Sequence, residues 1–337
     1  MNIQSVTLSN TNVTLTAYLL DSSPEMPNIK QRPAVLVLPG GGYRACSDRE
    51  AEPVAMGFLA EGYQVFILRY SLNQHAVFPK PLNDAEEALT LIRANSADWS
   101  IDPQKIAVCG FSAGGHLAAA LGTMGSTRPN AMILGYPCIL EEMSAIFPAP
   151  VPGVDQEVDE LTPPAFLFHT FDDRRVPVQN SLSFADALNR KNIPFEMHIF
   201  PTGTHGLSLA RPLTSSGLQS MVEPAVAQWF GLCTRWVSSV FGEFPSSIDP
   251  VLDEEVHEYS LDVKLGHLWN NDQCKKLILA AIPEIGETPH PDAMGVPLRT
   301  ILSYGGDLLT EEEQKQLNDG LKTISVIKPE GNTAEAG

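Results

Sequence analysis

Ile106-Ala-Val-Cys-Gly-Phe-Ser-Ala-Gly-Gly-His-Leu-Ala-Ala-Ala120 decides the reading of the whole chain. Its first part is short, β-branched and apolar, as a buried strand is. Its last part is rich in alanine and leucine, as a helix is. Between them stands Gly110-Phe-Ser-Ala-Gly114, a G-x-S-x-G in the strand–turn–helix setting that this pattern requires. So sharp a turn presses the chain against its own neighbours, and glycine is needed wherever a side chain would collide. The turn would lift the Ser112 hydroxyl above the sheet, at the positive end of the following helix. A glycine-rich turn without chemistry would look the same over these five residues, so the rest of the chain has to decide.

Working outward, residues 3–8 and 12–20 alternate around Ser9-Asn-Thr-Asn12 and predict an opening hairpin. Residues 34–38 form a continuous apolar run, the pattern of a strand covered on both faces. That run passes directly into Pro39-Gly-Gly-Gly-Tyr43. Further elements follow in alternation: helix 50–61, strand 64–70, helix 83–95, the central strand and helix, strand 131–136, strand 165–170, helix 178–191 and strand 195–200. A long helix ending near residue 240 closes the series. Strands alternating with helices predict an α/β fold, a mostly parallel central sheet with helices on both faces. Residues 1–240 would form this domain, and 241–258, with their acidic run, a linker. Residues 259–326 turn purely helical, with helices at 271–281, 296–304 and 311–324, the last opened by a capping box of Thr310 and Glu313. They predict a small all-helical C-terminal unit, followed by a polar tail over 327–337 expected to be disordered.

The chain has 337 residues, with 22 Lys and Arg against 40 Asp and Glu, a net charge of -18. That charge argues against binding nucleic acid or anionic membranes, which need basic patches. Five cysteines are scattered without a CxxC pair, a usage that predicts reduced thiols rather than a disulfide frame or zinc site. With no apolar run long enough for a membrane span, and Met1-Asn-Ile-Gln-Ser-Val6 unlike a signal region, the expectation is a cytoplasmic protein.

A serine hydroxyl needs a base within hydrogen-bond reach and a group to orient that base. After a G-x-S-x-G elbow the partners come in the order acid, then histidine, on loops following later strands. His205, in Pro201-Thr-Gly-Thr-His-Gly206 just after strand 195–200, combines position with glycine-flanked exposure. His116, one turn into the helix after the elbow, is expected to pack or cap, and His169, at a strand end, to be a satisfied core or supporting residue. His198 alternates within a strand, and the other four histidines fall in loops or in the helical tail. Asp172 and Asp173 both follow strand 165–170. Asp173 is favoured, standing four after His169 and four before Pro177, which leaves Asp172 as a turn residue or a partner of Arg174 or Arg175. The tetrahedral oxyanion needs fixed donors. The N–H of Ala113 is one, and Gly41 or Gly42 of the glycine run supplies the other. Tyr43, at the end of that run, is the expected substrate contact.

Together these residues resemble the α/β-hydrolase superfamily, and within it the carbohydrate-esterase-like branch of xylan acetyl esterases and related lipase/esterase sequences. The resemblance covers residues 1–235. Pro39-Gly-Gly-Gly-Tyr43 is similar to the oxyanion loop, with proline where histidine is more familiar. Glu52-Pro-Val-Ala55 and Leu68-Arg-Tyr70 follow in family order. Cys109 to Ala118 resembles the nucleophile segment, Pro163 to Thr170 with Asp172-Asp173 and Val176-Pro177 the acid segment, and His198 to Gly206 the base segment. The resemblance implies Ser112 as nucleophile, Asp173 as orienting acid and His205 as general base. It implies a serine esterase that removes acetyl or other short acyl groups from a small carbohydrate, such as a hemicellulose-derived oligosaccharide. A feruloyl or general carboxylesterase, or a peptidase of the prolyl-oligopeptidase kind, would use the same triad, and a non-catalytic binding protein of the same fold is a third class. No organic cofactor and no metal are expected, the chain having no H-E-x-x-H. The C-terminal helices are either a packed appendage, a surface for homo-oligomer formation, or one wall of the substrate cleft.

Overall fold

In the computed structural model, strand β3 (Arg32–Leu38) lies near the middle of an eight-stranded sheet and shows why its sequence is apolar throughout. Ala34, Leu36 and Leu38 enter one hydrophobic cluster and Val35 and Val37 the other, so both faces are covered. The structure describes residues 1–23, 25–26, 28–245, 256–304 and 308–326. The remaining strands are β1 (Asn2–Val6), β2 (Thr14–Leu19), β4 (Gln64–Arg69), β5 (Ile101–Phe111), β6 (Ala131–Gly135), β7 (Ala165–Thr170) and β8 (Phe195–Phe200). Their order in the sheet is β1-β2-β4-β3-β5-β6-β7-β8, with β2 antiparallel to β1 and β4 and every other pairing parallel.

Helices α1 (Glu52–Ala60), α2 (Lys80–Ala94), α3 (Ala113–Thr123), α4 (Gln179–Arg190) and α5 (Trp229–Phe241) cover the sheet. Buried residues of α2, α3 and α4 join the first cluster, and those of α1 and α5 the second. The chain therefore leaves β3 towards one face and β5 towards the other. It is at such a reversal, beyond the C-terminal ends of the strands, that parallel α/β sheets hold their ligands.

Helix α5 ends where the sequence indicated and is shorter than the long helix expected. Residues 212–228 hold three single 3-10 turns instead of a long helix, because Pro212, Pro224 and the Ser215-Ser-Gly217 turn interrupt helical hydrogen bonding. Ser216 and Gly217 both take positive φ there.

The chain divides into two compact units, Met1–Pro245 and Ser246–Gly337. The second has its own core, including Leu261, Leu268, Ile278, Leu298 and Leu321. Its helices are α6 (Leu265–Trp269), α7 (Asp272–Ala281), α8 (Pro291–Met294), α9 (Leu298–Tyr304) and α10 (Glu311–Lys322). Asn271 caps α7 by accepting the N–H groups of Gln273 and Cys274, and the Thr310–Glu313 capping box closes on α10. α6 and α8 are additions to the three expected helices, being too short to carry a periodic signal. Most of the expected 241–258 linker (246–255) and the expected 327–337 tail lie outside the described residues. No helix among the described residues is long and apolar enough to cross a membrane.

Candidate active site

Ser112 sits between β5 and α3 at φ 53°, ψ -117°, a conformation that costs a non-glycine residue about 1–3 kcal/mol. Three hydrogen bonds hold it there. Its N–H donates to the Gly135 carbonyl at 3.0 Å, and its carbonyl accepts the N–H of His116 at 3.0 Å and of Cys138 at 3.1 Å. The flanking glycines are required by close approach. A Cβ on Gly110 would stand 2.1 Å from the Gly114 carbonyl oxygen, and one on Gly114 would stand 2.1 Å from that of Leu38.

The loops after β7 and β8 bring the expected partners to the serine. Ser112 Oγ lies 2.8 Å from His205 Nε2, and His205 Nδ1 lies 2.7 Å from Asp173 Oδ2. A carboxylate can only accept, so Nδ1 carries a proton and Nε2 of the neutral ring is free to accept from the serine. Asp173 Oδ1 accepts the N–H groups of Arg175 and Val176 at 2.9 and 3.0 Å. Burial alone would raise the pKa of this carboxyl. The His169 and His205 side chains and the Val176 N–H outweigh it and hold the group well below the usual carboxylate range. His169 is fixed in turn by Ser181 Oγ at 2.7 Å and the Val176 carbonyl at 2.9 Å, with its Nε2 3.5 Å from Asp173. It is the satisfied supporting histidine that its strand-end position indicated.

Gly41 and Gly42 adopt φ of 136° and 65°, and the Gly41 carbonyl closes the turn by accepting from Arg44 and Ala45. Among the described residues the N–H groups of Gly41, Gly42 and Ala113 meet no protein acceptor. The Gly40 N–H is taken by Glu50 Oε2 at 2.8 Å. A side chain at Gly40 would meet the Ser112 Cβ at 3.1 Å, which sets this loop directly against Ser112.

One expectation needs correction. Tyr43 is not a substrate contact: its ring is fully buried, and its hydroxyl donates to His116 Nδ1 at 2.8 Å. The left-handed φ of 56° at Tyr43 carries the side chain into the core, beside Tyr70 and Phe147. Asp172, expected as a turn residue or an arginine partner, is the turn residue. Its Oδ1 accepts the Gly203 N–H at 2.8 Å and so clasps the loop that bears His205.

Glu50 is a site residue that sequence reasoning missed. Its carboxyl is 3% exposed, accepts the Tyr136 hydroxyl at 2.6 Å on one oxygen and holds Gly40 on the other. Burial raises its pKa against the pull of those two hydrogen bonds. The Tyr136 hydroxyl also accepts the Ser208 N–H at 2.9 Å, and its ring stands edge-on to His205 with centroids 5.1 Å apart. Cys138 Sγ lies 3.8 Å from Ser112 Oγ, and burial pushes this thiol up to about 12, so it stays protonated. Among the described residues no group of three or more His, Cys, Asp or Glu is placed to hold a metal ion.

The family model BD-FAE matches residues 23–141. The solved structure of MGS-M1, an alpha/beta hydrolase enzyme from a Medee basin deep-sea metagenome library, is 50% identical, with a TM-score of 0.68, and the match covers 71% of this chain and 98% of that one. The chain is an α/β hydrolase. Among curated proteins, the hydrolase is 35% identical over 223 residues to endo-1,4-beta-xylanase B of Butyrivibrio fibrisolvens, covering 56% of this chain and 34% of that protein. It is 30% identical over 205 residues to the acetylxylan esterase of Xylanibacter ruminicola, covering 54% of this chain and 42% of that protein. This hydrolase thus spans well under half the length of these two relatives.

Proposed function

We propose that this hydrolase is a serine carboxylesterase that removes acetyl or similarly short acyl groups from a small acylated carbohydrate, a xylan- or other hemicellulose-derived oligosaccharide. The observation that carries the reading is the continuous hydrogen-bonded chain from Asp173 through His205 to Ser112, set at the elbow after β5. Ser112 Oγ attacks the ester carbonyl carbon while His205 Nε2 takes its proton. Asp173 keeps the ring in the required tautomer and stabilises the imidazolium that forms. The negative oxygen is received by the N–H groups of Gly41, Gly42 and Ala113, each worth about 3 kcal/mol to the transition state. His205 then returns the proton to the departing sugar oxygen, leaving an acyl-serine. Water, activated by the same histidine, releases the acid.

The sugar and the acyl group rest on the two curated relatives, whose names refer to xylan chemistry. Residues 136–164, between β6 and β7, are rich in proline and hold only 3-10 turns, at Glu141–Ile146 and Asp155–Glu157, which leaves no α-helix there to cover a long acyl group. Initial rates on 4-nitrophenyl esters from acetyl to octanoyl, with Ser112→Ala as control, test the reading. We expect rates to fall steeply beyond propionyl and to vanish in the variant. A wild-type protein inert on every ester would sink the assignment. Preference for feruloyl or peptide substrates would move the activity to the general-esterase or peptidase alternative.

A further inference from the structure

A cleft of about 540 Å³ opens beside His205, lined by Asp172, Arg174, Arg175, Gly203, Thr204 and the histidine itself. Its size is within the roughly 300–1,000 Å³ of small-molecule sites. Resting on the acyl-transfer reading above, its position identifies which half of the substrate it would receive. The acyl carbonyl must point to the donors at Gly41, Gly42 and Ala113. The leaving oxygen must face His205 Nε2, which reprotonates it. A cleft on the histidine side therefore takes the alcohol half, the sugar.

The charge in this cleft runs against that of the chain. Arg174 and Arg175 are both exposed, and among the described residues neither guanidinium has a carboxylate partner. Asp172, the one acidic group of the lining, already accepts the Gly203 N–H. Two guanidiniums thus face one carboxylate, in a chain whose net charge is -18. At physiological salt the Debye length is about 8 Å, so a ligand in the cleft responds to these neighbours more than to the distant acidic surface. Guanidinium forks match the planar geometry of a carboxylate. At the same end of β7, Phe171 is 69% exposed, an apolar face of the kind on which a sugar ring can rest.

We propose that Arg174 and Arg175 form a subsite for a carboxylate carried on the sugar half of the substrate, as in a uronosyl-substituted oligosaccharide. Single carboxylates spaced along a neutral sugar chain fit two local cations, whereas a densely charged polymer would meet the repulsion of the whole surface.

The test separates this subsite from the hydrolytic reading by measuring binding without turnover. Ser112→Ala protein is titrated calorimetrically with xylotriose and with xylotriose bearing one methylglucuronosyl group. The acidic sugar should bind about three- to tenfold more tightly at low salt, as expected for two exposed ion pairs. The advantage should shrink as salt rises and disappear when Arg174→Gln and Arg175→Gln are added. Equal affinity for the two sugars, no binding of either, or a preference that survives the arginine changes would each overturn the subsite. Hydrolysis of 4-nitrophenyl acetate by the wild type reports on the esterase reading by itself. If 4-nitrophenyl hemisuccinate outperforms the butyrate ester, and that preference needs the same arginines, the carboxylate belongs to the acyl half and the sugar assignment is overturned.

Discussion

The carboxyl of Glu50 accepts the backbone N–H of Gly40 at 2.8 Å and so fixes the first glycine of the loop that lies against Ser112. Its other oxygen reaches Tyr136, which holds Ser208 in the loop carrying His205. One buried group therefore ties the proposed oxyanion loop to the loop of the proposed base.

Removing it should damage both stability and rate. Glu50→Ala leaves the Gly40 N–H and the Tyr136 hydroxyl buried without their acceptor, at about 1–3 kcal/mol each. Glu50→Gln still offers one carbonyl oxygen and should be milder. We expect kcat on 4-nitrophenyl acetate to fall about tenfold or more in Glu50→Ala, with KM little moved and partial recovery in Glu50→Gln. Steady-state kinetics and urea unfolding check this. Equal kcat in the alanine variant and the wild type would reduce Glu50 to a packing residue.

The two adjacent aspartates should separate cleanly. Asp173→Asn removes the charge that orients His205 and should lower kcat by roughly 10³–10⁴-fold, as loss of the orienting carboxylate does in serine hydrolases. Asp172→Asn keeps an oxygen for the Gly203 N–H and should change kcat by only a few fold. A comparison of the two variants on one ester decides it, and the opposite ranking would move the orienting role to Asp172.

Ser112 offers a stability test independent of any substrate. At φ 53° and ψ -117° both serine and alanine are strained, whereas glycine reaches this region freely. Ser112→Gly should therefore be more stable than Ser112→Ala by about 1 kcal/mol, the relief of strain exceeding the entropy that glycine adds to the unfolded chain. Thermal unfolding of the two variants gives the difference directly. If the alanine variant is the more stable, the elbow holds no strain.

What the sequence made legible follows from where the constraint is local. The elbow, its glycines and the order of Ser112, Asp173 and His205 are written in short motifs next to apolar strands, and the structure joins those three side chains by hydrogen bonds. Glu50 was illegible because nothing local distinguishes it: in Ser47-Asp-Arg-Glu50 it reads as one more acidic residue near a helix start. Only the sheet brings it to Gly40 and Tyr136, 86 residues away from the latter in sequence. Tyr43 misled for the opposite reason. It adjoins the glycine loop in sequence, but its left-handed backbone turns the ring into the core.

His116 provides a pH-dependent signature. Its Nε2 donates to the Pro152 carbonyl at 2.9 Å and its Nδ1 accepts from Tyr43, so the neutral ring is satisfied on both sides. Burial lowers its pKa from 6.5 to about 4, against a smaller upward pull from Pro152. The sign follows from proton counts: between about pH 6.5 and 4 the unfolded chain binds the proton and the folded chain does not, so stability falls as pH falls through that window. From pH 7.5 to 5 the loss from this one group is about 2 kcal/mol. The raised pKa of Glu50 acts with the opposite sign, its contribution shrinking as pH rises from its unfolded value. That of Asp173 is lost only in stronger acid. His116→Gln leaves both in place, so the difference between variant and wild type isolates the histidine. Urea unfolding at pH 7.5 and 5 should show the wild type losing about 2 kcal/mol more than His116→Gln, whereas parallel losses would mean that His116 is protonated as readily in the folded protein as in the unfolded chain.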